Sequence, residues 1–199
     1  MEGKQSTQAK RQEIVKWAFE RFYDGGFHAT GIDTVMADSG ISKRTLYKYF
    51  PSKEDLIEAV LDHYTDEIEH ELFDPVMTAS EDPRQQIMAF FDIREALMHE
   101  SFTRGCMGIK AAQEYAGKHA GIAARAKSFV ENNEQRFIEI CKRGGFAEPE
   151  QLGKQINLLF QGSLLMSQVY GDNAAFASAK AAAALLLDKA GEPSAHLAG

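Results

Sequence analysis

The chain has 199 residues, 44% of them apolar and 26% charged, with five prolines, which fits a globular protein with a real core and excludes extensive disorder. No stretch has the length and apolarity of a membrane span, and the charged start lacks an apolar h-region, so a cytoplasmic protein is expected. The net charge of −7 is uneven: residues 1–56 hold 9 Lys+Arg against 8 Asp+Glu and the remainder 13 against 21, so the acidic balance does not exclude nucleic-acid binding by the first part.

Ile14, Trp17, Ala18, Phe19 and Phe22 recur at three-four spacing and predict a helix over 7–24, capped by Ser6 or Thr7. Gly25-Gly26 ends it, Phe27 packs back on its last turn, and Trp17 reads as core. Thr30-Gly31-Ile32-Asp33 has the form of a capping box with Asp in place of Glu, and opens a helix with Ile32, Val35 and Met36 turned inward. Ser39-Gly40 ends that helix, with Gly40 supplying the left-handed conformation of a tight interhelical turn. Ile41 plugs the turn, Ser42 caps a third helix, and Phe50-Pro51 stops it. Leu46 and Phe50, four apart, share one face, which leaves Lys43, Arg44, Thr45, Tyr47 and Lys48 to meet something else. Ser52-Lys53-Glu54-Asp55 is another box. It opens a long helix through Leu56, Ile57, Val60, Leu61, Tyr64 and Ile68 to about Leu72, before Pro75. Three helices around one glycine turn make a helix-turn-helix by form alone.

Further helices are predicted over 83–100, begun by Asp82-Pro83, and over 109–117, 120–142, 151–170 and 174–189. Gly144-Gly145 ends the third of these. Gln151–Tyr170 is apolar on two faces, with Leu152, Ile156, Leu159, Ser163 and Met166 on one and Leu158, Leu165 and Val169 on another. Such a helix must pack against two things, its own body and a second subunit. With the alanine-rich helix after it, it predicts an isologous homodimer through about residues 151–189. Cys106 and Cys141 have no metal-ligand spacing and read as reduced thiols. Glu67-x-x-His70 matches half of a di-iron carboxylate motif, but Glu95 and His99 have the wrong spacing for the other half, so no metal is expected. The acidic run around it reads as a solvated face. No nucleophile–base pairing and no phosphate-binding glycine loop is recognisable, so no catalytic residue and no cofactor is expected.

The run Ile32-Asp33-x-Val35, Ala37-x-Ser39-Gly40-Ile41-Ser42-x-x-Thr45-Leu46-Tyr47-x-Tyr49-Phe50-x-Ser52-Lys53-Glu54-x-Leu56 resembles the N-terminal signature of the tetracycline-repressor-like (TetR/AcrR) family. Phe22-Tyr23-x-x-Gly26-Phe27-x-x-Thr30 fits it too, so the resemblance covers about residues 10–60. It implies an all-α protein, with a helix-turn-helix DNA-binding head over residues 1–53. A helical effector-binding and dimerisation body would occupy 54–199. The partners implied are a double-stranded DNA operator and a small-molecule effector, and the function a ligand-responsive regulator, in the main a repressor. At the start of the third helix, Arg44 and then Lys43 have the reach and donors for guanine edges, and Thr45 for a base or a thymine methyl. By resemblance, Tyr47 and Lys53 match phosphate-contacting positions, Tyr49 a phosphate or base position, and Thr30 a helix start near phosphate; Ser42 and Lys48 complete the candidate surface. The resemblance also puts an effector pocket among the body helices. Its candidate lining is Phe90, Arg94, Met98, Phe102, Met107, Tyr115 and Phe129, with His99, Gln113 and Glu114 as further polar groups. Two alternatives stand beside this reading. An effector-independent DNA-binding protein would associate salt-sensitively without a strong preferred site, and a helical-bundle metalloenzyme would carry metal.

Overall fold

The computed structural model describes residues 2–98 and 104–191, with side chains from residue 7 onward. Among them are ten α-helices, no strand and one π-helical turn. The helices are α1 (Glu2–Gly25), α2 (Ile32–Met36), α3 (Lys43–Tyr49), α4 (Lys53–Ile68), α5 (Asp74–Ala79), α6 (Pro83–Met98), α7 (Met107–Tyr115), α8 (Ala120–Arg143), α9 (Pro149–Tyr170) and α10 (Ala174–Gly191), with the π turn over Glu69–Phe73. The all-α architecture that the resemblance implies is the one the described residues adopt. The helices group into two compact units, residues 1–67 with 107–129, and residues 68–106 with 130–199.

The first unit is built on the stripe of α1. Ile14, Ala18 and Phe22 are fully buried with Phe27, Val35, Leu46, Leu56, Ile57 and Val60. Phe22 and Phe27 rings lie 5.6 Å apart, so the chain does fold back on the end of α1. Trp17 departs from its expected core role: it is half-exposed, with the Arg21 guanidinium 5.2 Å above its ring. An aromatic cluster of Phe19, Tyr23, Tyr64 and Phe129 joins α1, α4 and the start of α8. Helix α7 belongs to this unit and grips the turn after α1. The Glu114 carboxylate accepts from the backbone N–H of Phe27 (3.1 Å) and His28 (2.6 Å), and the Lys110 ammonium donates to the Tyr23 carbonyl at 3.0 Å. Arg125 of α8 bonds both Glu58 and Asp62 of α4, each at 2.9 Å.

The second unit has an aromatic centre. Phe90 packs 4.6 Å from Phe137, and Phe160 meets Phe90, Phe91 and Phe137 within 6.0 Å. Gly153 on α9 allows a close helix approach, since a Cβ there would stand 2.7 Å from the backbone N and Cα of Ile138. Helices α9 and α10 form an antiparallel pair: a three-residue turn joins them, and the Ala147 N–H before α9 bonds the Ala190 carbonyl near the end of α10 at 3.0 Å. Buried Ala179 and Ala183 let their axes approach.

Several expected boundaries move. Helix α1 begins at Glu2 instead of residue 7, because the residues before Ser6 include no proline and the single Gly3 is a modest penalty. Helix α2 starts after Gly31, which makes no side-chain cap bond, so the expected Thr30 box does not form. The chain stays helical past Pro75. The π turn resets the hydrogen-bond ladder, and Pro75 falls in the first turn of α5, where its missing N–H costs little. Helix α7 runs two residues earlier than expected. Met166, placed with the inward face, is 36% exposed and sides with the outer one. Phe102 and His99 lie outside the described residues.

Candidate nucleic-acid interface

Helix α3 is short and its orientation is over-determined by local bonds. The Ser42 hydroxyl accepts from the Thr45 N–H at 3.1 Å and lies 2.9 Å from the Thr45 hydroxyl, which satisfies a free donor at the helix start. At the other end the Phe50 N–H bonds the Leu46 carbonyl at 2.9 Å. The turn before it uses two left-handed residues, Gly40 (φ 66°) and, unforeseen, Asp38 (φ 61°). Asp tolerates this conformation better than most side chains do. Ser39 ties the turn further by donating to the Met36 carbonyl at 2.7 Å and accepting from the Ile41 N–H at 3.0 Å.

Ile41, Leu46 and Phe50 are buried, so α3 has one inward face, as its spacing requires. Ser42, Lys43, Arg44, Tyr47 and Lys48 are exposed, and Thr45 and Tyr49 are half-exposed. The outward face therefore collects three cations, a phenol and hydroxyls on about two turns. Lys43 is not idle: its ammonium lies 2.5 Å from the Asp33 carboxylate of α2. That hydrogen bond, with the charge behind it, holds the ammonium above the usual lysine range. Lys48 reaches over the Tyr49 ring at 5.8 Å.

Lys53 sits at the first position of α4, half-exposed, with its ammonium 5.8 Å from the Phe22 ring centroid. The box that starts this helix forms as expected. The Asp55 N–H bonds the Ser52 hydroxyl at 3.0 Å and the Ser52 N–H bonds the Asp55 carboxylate at 2.9 Å. Thr30 is placed differently from the others. Its side chain is buried, and its hydroxyl occupies the space over Gly25, where a Cβ would come within 2.3 Å. It fixes the turn between α1 and α2.

The effector candidates divide between the units. Phe90, Arg94 and Met98 are buried on α6 in the second unit, where Arg94 donates to the Gly105 carbonyl at 2.9 Å. Met107, Tyr115 and Phe129 are buried in the first. There Tyr115 packs against Phe27 and His28, and burial, with smaller help from Glu54 and Glu114, pushes its phenol up to about 12. Glu114, a candidate orienting group, has its carboxylate on the Phe27 and His28 amides. Apart from Arg94, the candidates included no buried polar side chain of the second unit. Asn133, Asn157 and Ser167 are buried, and an oxygen of each has no partner among the described residues. Their signal was amide and hydroxyl side chains on helix faces otherwise filled by Phe137, Ile156 and Phe160. Buried polar atoms left unpaired are uncommon and call for an explanation. Both cysteines are buried, and burial pushes the Cys141 thiol up to about 11, away from reactive thiolate chemistry. Among the described residues, no group of three His, Cys, Asp or Glu side chains is arranged to hold a metal ion, and no helix is long and apolar enough to cross a membrane.

Comparison with known proteins gives this geometry its context. Residues 14–60 match the family model for bacterial regulatory proteins of the tetR family, and residues 83–183 match the tetracyclin repressor-like C-terminal domain. An uncharacterized HTH-type transcriptional regulator, YxaF of Bacillus subtilis, is 33% identical over 164 residues, covering 79% of this chain and 84% of the relative. The HTH-type transcriptional activator FasR of Mycolicibacterium smegmatis is 34% identical over 89 residues, 43% of this chain and 41% of that one. The crystal structure of a TetR transcriptional regulator from Legionella pneumophila superposes with a TM-score of 0.78 at 26% identity, covering 88% of this chain and 95% of that one. The head with its exposed cationic helix, the helical body and these matches together place the chain in the TetR family: it is a helix-turn-helix, DNA-binding transcriptional regulator and not an enzyme.

Proposed function

We propose that the protein is a cytoplasmic homodimeric repressor that reads a palindromic operator and leaves it when a small molecule binds. The observation that carries the DNA side is α3, where Ile41, Leu46 and Phe50 anchor one face and Lys43, Arg44, Tyr47 and Lys48 are turned out. Residues 1–53 do the reading, and 54–199 bind the effector and dimerise. In this reading Arg44 bonds a guanine edge, Thr45 touches an adjacent base, and Lys43 shares itself between Asp33 and the DNA. Ser42, Tyr47, Lys48, Tyr49 and Lys53 hold phosphates and fix the register. Thr30 acts through the turn that sets α2 against α1. Two copies of α3 enter successive major grooves, about 34–36 Å apart.

Dimerisation uses residues 151–189. Support comes from the outer side of α9 and α10, where Leu158 and Leu185 are each 71% exposed, Tyr170 is 70% and Val169 64%, with Leu165 and Met166 beside them. Apolar exposure of this extent along one helix pair is what a two-fold partner covers. The effector reading rests on the buried Phe90, Arg94 and Met98 of the second unit; the candidates Met107, Tyr115 and Phe129 pack inside the first. The unpaired oxygens of Asn133, Asn157 and Ser167 add polar groups to it. A molecule that binds better to a state unable to span both half-sites shifts the population off DNA. The regulator that FasR is named to be is an activator, so the sign of regulation needs its own experiment. Selection of binding sites from a random DNA pool tests the DNA reading. A palindrome protected in footprints, and relaxed at one symmetric base pair by Arg44→Ala, is expected. Unchanged footprint and affinity in Arg44→Ala would overturn it, and a reporter under the selected site reads the sign of regulation.

A further inference from the structure

The second unit carries a cleft that the effector list touches at one residue, Phe90. Its floor is Phe90 and Ile140, one wall is Phe73 and Met77, and the other is the face of α8 bearing Arg136, Glu139 and Arg143. The space is about 110 Å³. A closed apolar cavity of about 150 Å³ takes a benzene ring. An open cleft of this size accepts a ring or a branched alkyl group and leaves its substituent at the mouth.

The π turn builds the wall. It brings Glu69 and Phe73 onto the same guanidinium: Glu69 takes Arg136 end-on at 2.5 Å, and Phe73 lies flat under it with the Arg136 Cζ 4.1 Å from the ring centroid. Arg136 is thereby neutralised and fixed. Arg143, two turns further along α8, is different. Its partners among the described residues are neutral, the Gln86 side-chain oxygen at 2.5 Å and the Met77 sulfur at 4.0 Å. Gln86 is itself held, donating to the Ser80 carbonyl at 2.8 Å. The mouth thus presents a braced guanidinium without a carboxylate on it, beside an aromatic floor. Glu139 is the one acid in the lining and sets a selectivity limit, since it tolerates a single negative charge at the mouth better than a doubly charged group.

We infer that this cleft binds a small monocarboxylic acid with an aryl or branched alkyl body, the carboxylate on Arg143 and the body on Phe73 and Phe90. Arginine suits this group because its planar fork matches a carboxylate with two parallel donors. The site is separate from the operator surface and shares only Phe90 with the buried effector candidates, so its test needs no DNA.

The full-length protein is labelled with [13C]methyl-methionine, and the Met77 methyl signal is assigned by its loss in Met77→Leu. Benzoate, benzamide and benzylamine are titrated separately. Benzoate is expected to move the Met77 signal saturably, with benzamide and benzylamine weaker by about tenfold or more, the size of one charge-assisted pair. Arg143→Gln should weaken benzoate by a similar factor, Arg143→Lys should keep part of the affinity, and Glu139→Gln should tighten it. A Met77 signal unmoved by benzoate at tens of millimolar overturns the inference. So does an equal response to benzamide, or benzoate affinity unchanged in Arg143→Gln. Should Arg143→Gln not fold, Glu139→Gln decides: failure to tighten benzoate removes the proposed carboxylate at the mouth.

Discussion

Helix α3 is 7 residues long and turns Arg44, Tyr47 and Lys48 outward, while α9 is 22 residues long and turns Leu158, Val169 and Tyr170 outward. Both leave a face that the described residues do not cover. The first is polar, can remain wet, and owes its orientation to caps and a turn within a few residues of itself. The second is apolar, costs free energy while wet, and owes its exposure to the packing of the whole second unit. A cationic face draws a partner by a long-range field and is tuned by salt. An apolar face acts only at contact and needs a shape that matches, which in the proposed dimer a second copy of the same helix pair would supply.

The largest effect should come from placing a charge on the apolar face. Leu158→Arg puts an unpaired cation at a two-fold contact in both copies. An uncompensated buried charge costs at least about 3 kcal/mol, a weakening of more than a hundredfold. Sedimentation should show a monomer, and operator binding should fall to the weak, salt-dependent level of a single head. A Leu158→Arg protein that stays dimeric would break the assignment of this face. Arg44→Ala makes the converse experiment. The dimer should persist, while the operator loses about 1–3 kcal/mol and one symmetric position loses its base preference. Competition binding against operators altered at single positions reads this directly.

The same contrast explains what could be read from the sequence. The Ser42 cap, the Ser52–Asp55 box and the inward pair Leu46 and Phe50 all act across three or four residues, so spacing alone specifies them. The outer apolar stripe of α9 was legible for the same reason, Met166 excepted. What was not legible depends on packing and backbone geometry that residue spacing does not encode. Thr30 had the letters of a capping box, but its hydroxyl is drawn under cover of Gly25. Glu114 looked like a ligand-orienting carboxylate and instead closes on two amides some 86 residues earlier. Pro75 looked like a stop, and the π turn before it absorbs the conflict between proline and the helical ladder. Asn133, Asn157 and Ser167 share helix faces with Phe137, Ile156 and Phe160, but spacing does not say that an oxygen of each is left unpaired there, since packing decides it.

A smaller effect separates the two regions by stability. Ser42→Ala removes the side-chain acceptor of the Thr45 N–H and should cost about 1 kcal/mol, read by urea unfolding, because loss of an N-cap has that size. Operator affinity should fall with it, since α3 frays where it meets the bases. The matching cap of the second unit is Asp82, whose carboxylate accepts from the Arg84 N–H at 2.9 Å. Asp82→Ala should cost a comparable amount of stability and leave operator affinity unchanged. Equal loss of DNA binding in the two variants would mean that the effect travels through global stability and not through α3.

The smallest expected effect is also the most specific to this chain. Asp33 on α2 holds the Lys43 ammonium at 2.5 Å, and both side chains are well exposed. For Lys43 to serve DNA, it must be shared with Asp33 or released from it, and Asp33 brings a negative charge toward phosphates. Asp33→Asn removes that charge with little change in shape. It should tighten binding to operator and to random DNA by a few-fold, about the worth of one exposed charge, with the gain shrinking as salt rises. Because the change is electrostatic and unspecific, the ratio of operator to random affinity should hold. Lys43→Ala should then matter more in the Asp33→Asn background than in the parent, since only there is the full cation available to lose. If Lys43→Ala has the same effect in both backgrounds, the Asp33 pair does not limit what Lys43 offers to DNA. The cationic face of α3 would then be set by Arg44 and Lys48.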